Sequence, residues 1–304
     1  MEYKVFESSD TNVKKFVFEW PEGRRRKAIA EAVLYRYGSY KTRTVICCSV
    51  QSGCPVGCTF CGTGKFFVRD LSSDEIVEQV KTIMESTVLP EVAAEDIEKF
   101  QIMFMSMGEP FLNYLNLEMA ITGLHGLYPN AQLLVSTSAP AGIENDMAKF
   151  IFLSKQINKV GLQFSVHEST DEARAKLIPT KTCTLRQIAS LGEMWSAFVG
   201  RQPYYNYCVH EGNCSDEDVE RLVKTFDPSV WQTTLSVICE KSESVKSSIE
   251  RQLDLIDGFK EKLLDKGVSL RVFNPAGQDD IGGGCGQLWY FQEWLGKNYE
   301  RTKN

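Results

Sequence analysis

TVICCSVQSGCPVGCTFCGTGKFFVRDLSSDEIVEQV, residues 44–80, joins a β-branched apolar run, a loop carrying Cys54, Cys58 and Cys61, and a helical pattern. The run at 44–50 reads as a strand because valine, isoleucine and threonine suit a pleated, buried surface. After the loop, Ser72 and Glu75 stand at capping-box spacing, and Ile76, Val80, Ile83 and Met84 fall on one helical stripe. Strand, thiol-bearing loop and helix therefore follow one another.

The strand-then-helix unit recurs. FQIMFMSM (100–107), AQLLVSTS (131–138), KVGLQFSVH (159–167), YYNYCVH (204–210), QTTLSVIC (232–239) and VSLRVFN (268–274) are near-continuous apolar or β-branched runs. Such runs are expected of parallel strands buried on both faces. SDEDVERLVKTF from Ser215 and SSIERQLDLIDGFKEKLL from Ser247 read as helices. The alternation predicts an α/β fold, a partial (β/α)6 barrel over residues 44–304. Chemistry in that architecture belongs at the C-terminal ends of strands. Cys54 follows the first strand, Gly108 and Glu109 the second, Ser136 ends the third and His167 the fourth. Residues 1–43 do not fit the unit. Two alternating stretches around Pro21-Glu22-Gly23 predict an N-terminal β-hairpin extension.

The 304 residues, 43% hydrophobic and 24% charged, suffice for a globular core. The N-terminus has no apolar signal region, and no apolar run reaches the roughly 18 residues of a membrane helix. A cytoplasmic protein is expected, without membrane association and with its thiols reduced. The net charge of −6 argues against a large phosphate-binding surface, although EGRRRK (22–27), Arg36, Lys41 and Arg43 make the first fifty residues basic. A solvated hairpin edge would carry the same charges.

The thiols narrow the chemistry. Structural zinc takes four ligands, commonly from paired Cys-x2-Cys elements, and no second pair is present here. Three thiolates on a short loop can hold three corners of a [4Fe–4S] cube and leave one iron open for a substrate. Zinc with a distant fourth ligand and three incidental core cysteines are the alternatives. Cys48 would point to the opposite face of the strand from Cys47, into the core, and Cys183, Cys208 and Cys214 sit in no motif.

Cys54-x3-Cys58-x2-Cys61, with Phe60 before the last cysteine, resembles the signature of the radical S-adenosylmethionine (SAM) superfamily. Further stretches resemble one family within it, the adenine carbon-2 methyltransferases of ribosomal and transfer RNA with their carbon-8 relatives. These are MSMGEPFLN, VSTS, FSVHESTDEARAKLIP and QDDIGGGCGQL, so that the likeness runs from about Ser8 to Leu288. The resemblance implies a radical-SAM barrel, a [4Fe–4S] cluster on Cys54, Cys58 and Cys61, and SAM held by Gly108, Glu109, Ser136, Ser165, Val166 and His167. It implies catalytic roles for Cys285 as the methyl-carrying thiol, Cys47 as its partner thiol and Glu31 as proton acceptor.

In the implied reaction Cys285 takes a methyl group from one SAM, and a second SAM is cleaved to a radical that activates it. The methyl carbon adds to the adenine, Glu31 removes the ring proton, and attack by Cys47 on Cys285 frees the product as a disulfide forms. The glycines around Cys285 would let that loop move, although an ordinary glycine-rich turn would look the same. An RNA adenosine and an electron donor such as flavodoxin or ferredoxin are the implied partners.

Family members usually carry a helical RNA-binding domain before the hairpin, for which this chain has no room, and Asn-Pro where Cys239-Glu240 stands. A small RNA such as a tRNA arm, or a separate RNA-binding partner, is the matching expectation. A radical methylase of a nucleotide-like substrate, and a non-catalytic metal- or RNA-binding barrel, are the alternative functions. A binding module would need neither Cys47 nor Cys285.

Overall fold

In the computed structural model, which describes residues 1–21, 27–237, 245–273, 281, 282 and 288, strands β1 (Glu2–Glu7), β2 (Val13–Trp20) and β3 (Ala28–Arg36) form an antiparallel run. The expected hairpin is there, paired from Val13↔Tyr35 to Trp20↔Ala28. β3 pairs antiparallel with β4 (Arg43–Cys48), so the extension and the parallel strands share one sheet. A separate two-stranded sheet, β5 (Gln51–Gly53) and β6 (Phe67–Asp70), then brackets the cysteine loop.

Helix α1 (Ser73–Ile83) starts on the expected capping box: Ser72 accepts from the Glu75 N–H, and Glu75 accepts from the Ser72 N–H. The chain continues through β7 (Lys99–Phe104), α2 (Tyr114–Leu127), β8 (Gln132–Thr137), α3 (Glu144–Gln156), β9 (Val160–Ser165), α4 (Asp171–Leu177) and α5 (Leu185–Val199). It closes with β10 (Tyr204–Val209), α6 (Asp216–Thr225), β11 (Gln232–Val237), α7 (Val245–Asp265) and β12 (Ser269–Val272). The main sheet has ten strands in the order β1-β2-β3-β4-β7-β8-β9-β10-β11-β12, parallel from β4 onward. Among the described residues no pairing joins β12 to β1, so the barrel is open.

One expectation needs correction. The parallel strands are not apolar on both faces; they alternate. Val160, Leu162 and Phe164 of β9 pack under the helices with Leu133 and Val135 of β8. The opposite face carries Gln163, Ser136, Asn206, Thr234 and Ser236, joined by hydrogen bonds from Gln163 Nε2 to Ser136 Oγ (3.2 Å) and from Ser236 Oγ to Asn206 Oδ1 (2.9 Å). On this inner face Asn206, Thr234 and Ser236 are buried and Ser136 and Gln163 partly so, and their polar groups satisfy one another rather than an apolar layer. The strands are also shorter than the runs suggested. Met107, Ser138 and His167 have left the ladder by the point where their side chains matter.

Candidate active site

The cysteine loop is closed at its root. The Cys54 N–H donates to the Phe66 carbonyl at 2.8 Å, across the β5–β6 pair. Gly53 makes that closure possible: its φ is +83°, and a Cβ there would stand 2.2 Å from the Phe66 oxygen. The loop docks on the end of α4 and the segment after it, with the Thr59 N–H on the Leu177 carbonyl (3.0 Å) and Thr180 Oγ1 on the Val56 carbonyl (2.8 Å). Phe60 sets its ring edge against His167 at 5.5 Å.

Cys54, Cys58 and Cys61 are half-buried and free of disulfides. Burial pushes Cys54 up to about 12 and raises Cys58 too; Cys61 and Glu109 add to both shifts, and Cys54 adds to that of Cys58. Buried thiols held away from ionisation, as Cys54 and Cys58 are, fit a ligand that brings positive charge to them. Among the described residues no three Cys, His, Asp or Glu side chains stand close enough to share a single metal ion. A cube gives each thiolate its own iron, so it does not require the spacing of roughly 3.8 Å between sulfurs that a tetrahedral zinc with 2.3 Å bonds imposes. The donor set suits the cluster.

Gly108 adopts φ +100° with Gln51 packed where a Cβ would lie, 2.6 Å from the Gln51 Cβ. Gln51 Oε1 in turn accepts the Glu109 N–H at 2.8 Å. The Glu109 carboxylate is buried and accepts four bonds: from the Phe111 N–H (3.1 Å), Thr137 Oγ1 (2.5 Å), the Ser138 N–H (2.8 Å) and Ser138 Oγ (2.7 Å). Burial still raises its pKa, against those bonds.

Ser136, on the polar face, accepts from Gln163, while the Ser165 carbonyl and the Val166 N–H are tied to Arg174 and to the Asn206 carbonyl. His167 is buried at φ +62°, and burial pushes it down to about 3, so the ring is neutral. Its Nδ1 has no hydrogen-bond partner among the described residues. A strained, neutral histidine with an orphaned nitrogen beside the thiol loop marks a place built for something else to occupy.

A second cluster lies on the N-terminal part of the same face. Cys47 belongs to one buried cluster with Val13, Val33, Tyr35, Val45 and Met107, and with Ile281 and Leu288, which flank Cys285 in sequence. Cys285 itself lies outside the described residues, as do Cys239, Glu240 and the arginines of 22–26. Val33 is the cross-strand partner of Cys47, and Glu31, two residues before it, faces the same way. Glu31 is fully buried and ion-paired with fully buried Lys15 at 3.3 Å; Lys15 also reaches the Gly282 carbonyl at 3.5 Å. Burial lowers Lys15 and raises Cys47 to about 12. Cys48 faces the helices, in the other cluster, as expected. Cys183 and Cys208 are buried and Cys214 is half-buried.

Over 294 residues the chain is 30% identical to the probable dual-specificity RNA methyltransferase RlmN of Salinibacter ruber, covering 93% of this chain and 75% of that protein. The chain belongs to the RlmN family. No family profile matches it. Among solved structures, a radical SAM methyltransferase from Sphaerobacter thermophilus superposes with a TM-score of 0.75 at 26% identity, over 94% of this chain and 80% of that one. Streptococcus suis SuiB, bound to S-adenosylmethionine, shares the fold alone at 12% identity and a TM-score of 0.52, over 77% of this chain and 48% of SuiB. Membership of the RlmN family makes the chain a radical SAM methyltransferase. Among the described residues no helix is long and apolar enough to cross a membrane.

Sequence reasoning missed Lys15, Gln51 and Arg174. Gln51 and Lys15 gave no signal within otherwise ordinary strands. Arg174, in DEARAKL, reads as the polar side of a short helix, yet it is 2% exposed.

Proposed function

We propose that this RlmN-family chain methylates an adenine ring carbon in RNA, carbon 2, through a methyl-cysteine on Cys285 and with two SAM per turnover. Cys54, Cys58 and Cys61 would hold a [4Fe–4S] cluster, which when bound supplies the electron that opens the sulfonium of SAM. Gly108 brings backbone close to the bound cofactor, and ionised Glu109 accepts hydrogen bonds from its ammonium group. Ser136, Ser165, Val166 and His167 line the remainder, with the neutral imidazole free to hydrogen-bond without adding charge. A low-potential donor such as flavodoxin or ferredoxin provides the electrons.

The other residues divide the methyl relay. The Cys285 thiolate takes a methyl group by nucleophilic substitution. Cys47, kept a thiol by burial, does not compete with Cys285 for that methyl. Glu31, on the Cys47 face, accepts the adenine proton, and Lys15 beside it favours the ionised carboxylate that can do so. Cys47 then attacks Cys285, and the product leaves as the disulfide forms; two electrons from a thiol reductant restore the pair.

The observation that supports this reading is that Ile281 and Leu288 belong to the same buried cluster as Cys47, on the face that also bears Glu31. The test is anaerobic reconstitution with iron and sulfide, followed by mass spectrometry of the Cys285 peptide and of RNA digests. Expected are a methyl group on Cys285 and deoxyadenosine formed only with RNA present. Methylated adenine from a Cys285→Ala variant would refute the relay, and methyl-cysteine without RNA-dependent turnover would point to a smaller substrate.

A further inference from the structure

Arg174 is 2% exposed and, among the described residues, donates only to neutral acceptors. One amino group reaches Thr182 Oγ1 (2.6 Å) and the Cys183 carbonyl (3.2 Å); the other reaches the Ser138 carbonyl (2.6 Å) and the Ser165 carbonyl (2.8 Å). Its Nε has no hydrogen-bond partner among the described residues. Among the described residues no carboxylate lies within ion-pair distance of it. A buried cation is costly unless an opposite charge compensates it, and carbonyl dipoles do so only in part.

The missing negative charge lies on the thiol side. Arg174 stands one helical turn before Leu177, whose carbonyl receives the N–H of Thr59, the neighbour of Cys58. Ser138, whose carbonyl Arg174 holds, gives its own N–H and hydroxyl to Glu109. Burial pushes the guanidinium down to about 10, while Asp171, Cys58, Cys183 and Glu109 pull it back up. Asp171 is exposed, so solvent screens it. The Cys183 thiol donates to the Pro140 carbonyl, which leaves Glu109 and, as a thiolate ligand of the cluster, Cys58 to compensate a charge inside the fold.

We propose that Arg174 is the buried countercharge of the cluster site, a positioning residue that pins the ends of β8 and β9 and stabilises the cluster's reduced, more negative state. The inference rests on the cluster reading above. Reduction adds one electron from an external low-potential reductant to a centre already ligated by three thiolates, and a fixed cation nearby favours the added charge. Arginine suits the post because it stays protonated when buried and its planar fork spans two strand ends at once.

The experiment is a mediated redox titration of the reconstituted full chain, followed by electron paramagnetic resonance, with SAM affinity measured by equilibrium dialysis. Arg174→Gln removes the charge, and at a given potential its reduced-to-oxidised ratio is expected to fall about tenfold, equal to about 59 mV for one electron. Arg174→Lys keeps the charge but not the fork, so its potential should stay near that of the parent while SAM binding weakens severalfold. A parent-like potential in R174Q, or equal displacement in both variants, overturns the proposal. Should R174Q fail to assemble, R174K carries the test alone. Its potential should drop as rising pH deprotonates the lysine, and an offset independent of pH overturns the proposal equally. A parent protein that takes up no cluster sinks the underlying reading instead.

Discussion

Replacing Gly53 with alanine tests how the thiol loop is held. Gly53 has φ +83°, and the added methyl would lie 2.2 Å from the Phe66 carbonyl oxygen and 2.8 Å from its carbon, with Phe66 Cδ2 at 2.9 Å. The two backbone atoms cannot swing away as the end of a side chain can. Left-handed backbone costs a residue with a Cβ roughly 1–2 kcal/mol, and overpacking adds about 1–3 kcal/mol. The total, about 2–5 kcal/mol, is smaller than the roughly 5–15 kcal/mol that holds a domain together. The fold should survive, and the loop should yield by breaking the Cys54–Phe66 hydrogen bond. At 1.4 kcal/mol per tenfold, the closed loop loses roughly 30- to 4,000-fold against open forms. Iron and sulfide content after anaerobic reconstitution, then retention against a chelator, reads that loss. Gly200→Ala is the control: its φ is +75° with open space around the site, at the C-terminus of α5 far along the chain from the loop. It should lose about 1 kcal/mol of stability and no iron. A G53A protein that loads and keeps iron like the parent would refute the argument.

Other perturbations separate packing from chemistry. Gly192→Ala would drive a methyl to within 2.2 Å of the buried Trp231 ring, so the urea midpoint should fall by an amount worth about 1–3 kcal/mol with SAM binding retained once folded. His210 Nε2 bonds Glu168 at 2.8 Å, a contact that raises the histidine above 6.5. A raised folded-state value means stability that is full below pH 6.5 and lost as pH climbs through the folded-state pKa. His210→Gln should therefore flatten the fall in urea midpoint measured from about pH 5 to 8. Ser138→Ala deletes a hydroxyl that stabilises ionised Glu109. If Glu109 holds SAM as proposed, SAM affinity needs that ionised form and should then be lost at a higher pH than in the parent as acid is added. An unchanged pH profile would remove Glu109 from the SAM site.

What was legible in the sequence was what local chemistry dictates. Ser72 and Glu75 announce a capping box by spacing alone, and the box is formed. Pro21 and Glu22-Gly23 between alternating stretches announce a hairpin, and Val13–Trp20 pairs with Ala28–Arg36. The order of apolar runs is the order of strands in the sheet. Strand β1 was not legible: EYKVFE is short and charged, and its residues are almost all exposed at the sheet edge. The polar inner face was written as Gly-Gln-Ser interleaved with Val-Leu-Phe in β9, but frequent β-branched and small residues masked the alternation. Arg174 and Lys15 could not be read at all. Whether a charged side chain faces water or a strand end depends on elements far away in sequence, and only the assembled fold decides it.

The same dependence makes adjacent cysteines chemically unlike. Cys47 and Cys48 are both buried, yet only Cys47 shares a surface with Ile281 and Leu288. A slip of one residue in β4 would exchange them and put the wrong thiol beside the Cys285 segment. The register is held from both ends. Thr44 Oγ1 bonds the Tyr40 carbonyl at 2.7 Å where the strand begins. Beyond it, the Ser49 N–H donates to Gln79 Oε1 at 2.9 Å and Ser49 Oγ to the Glu31 carbonyl at 2.6 Å. Ser106 Oγ donates to that same carbonyl, also at 2.6 Å. The bonds that keep Cys47 facing inward thus also fix the backbone of Glu31, so a loosened Ser49 should disturb the proposed base, Glu31, and the proposed partner thiol, Cys47, together. Paired loss on Ser49→Ala, with cluster loading intact, is the pattern this shared anchor requires.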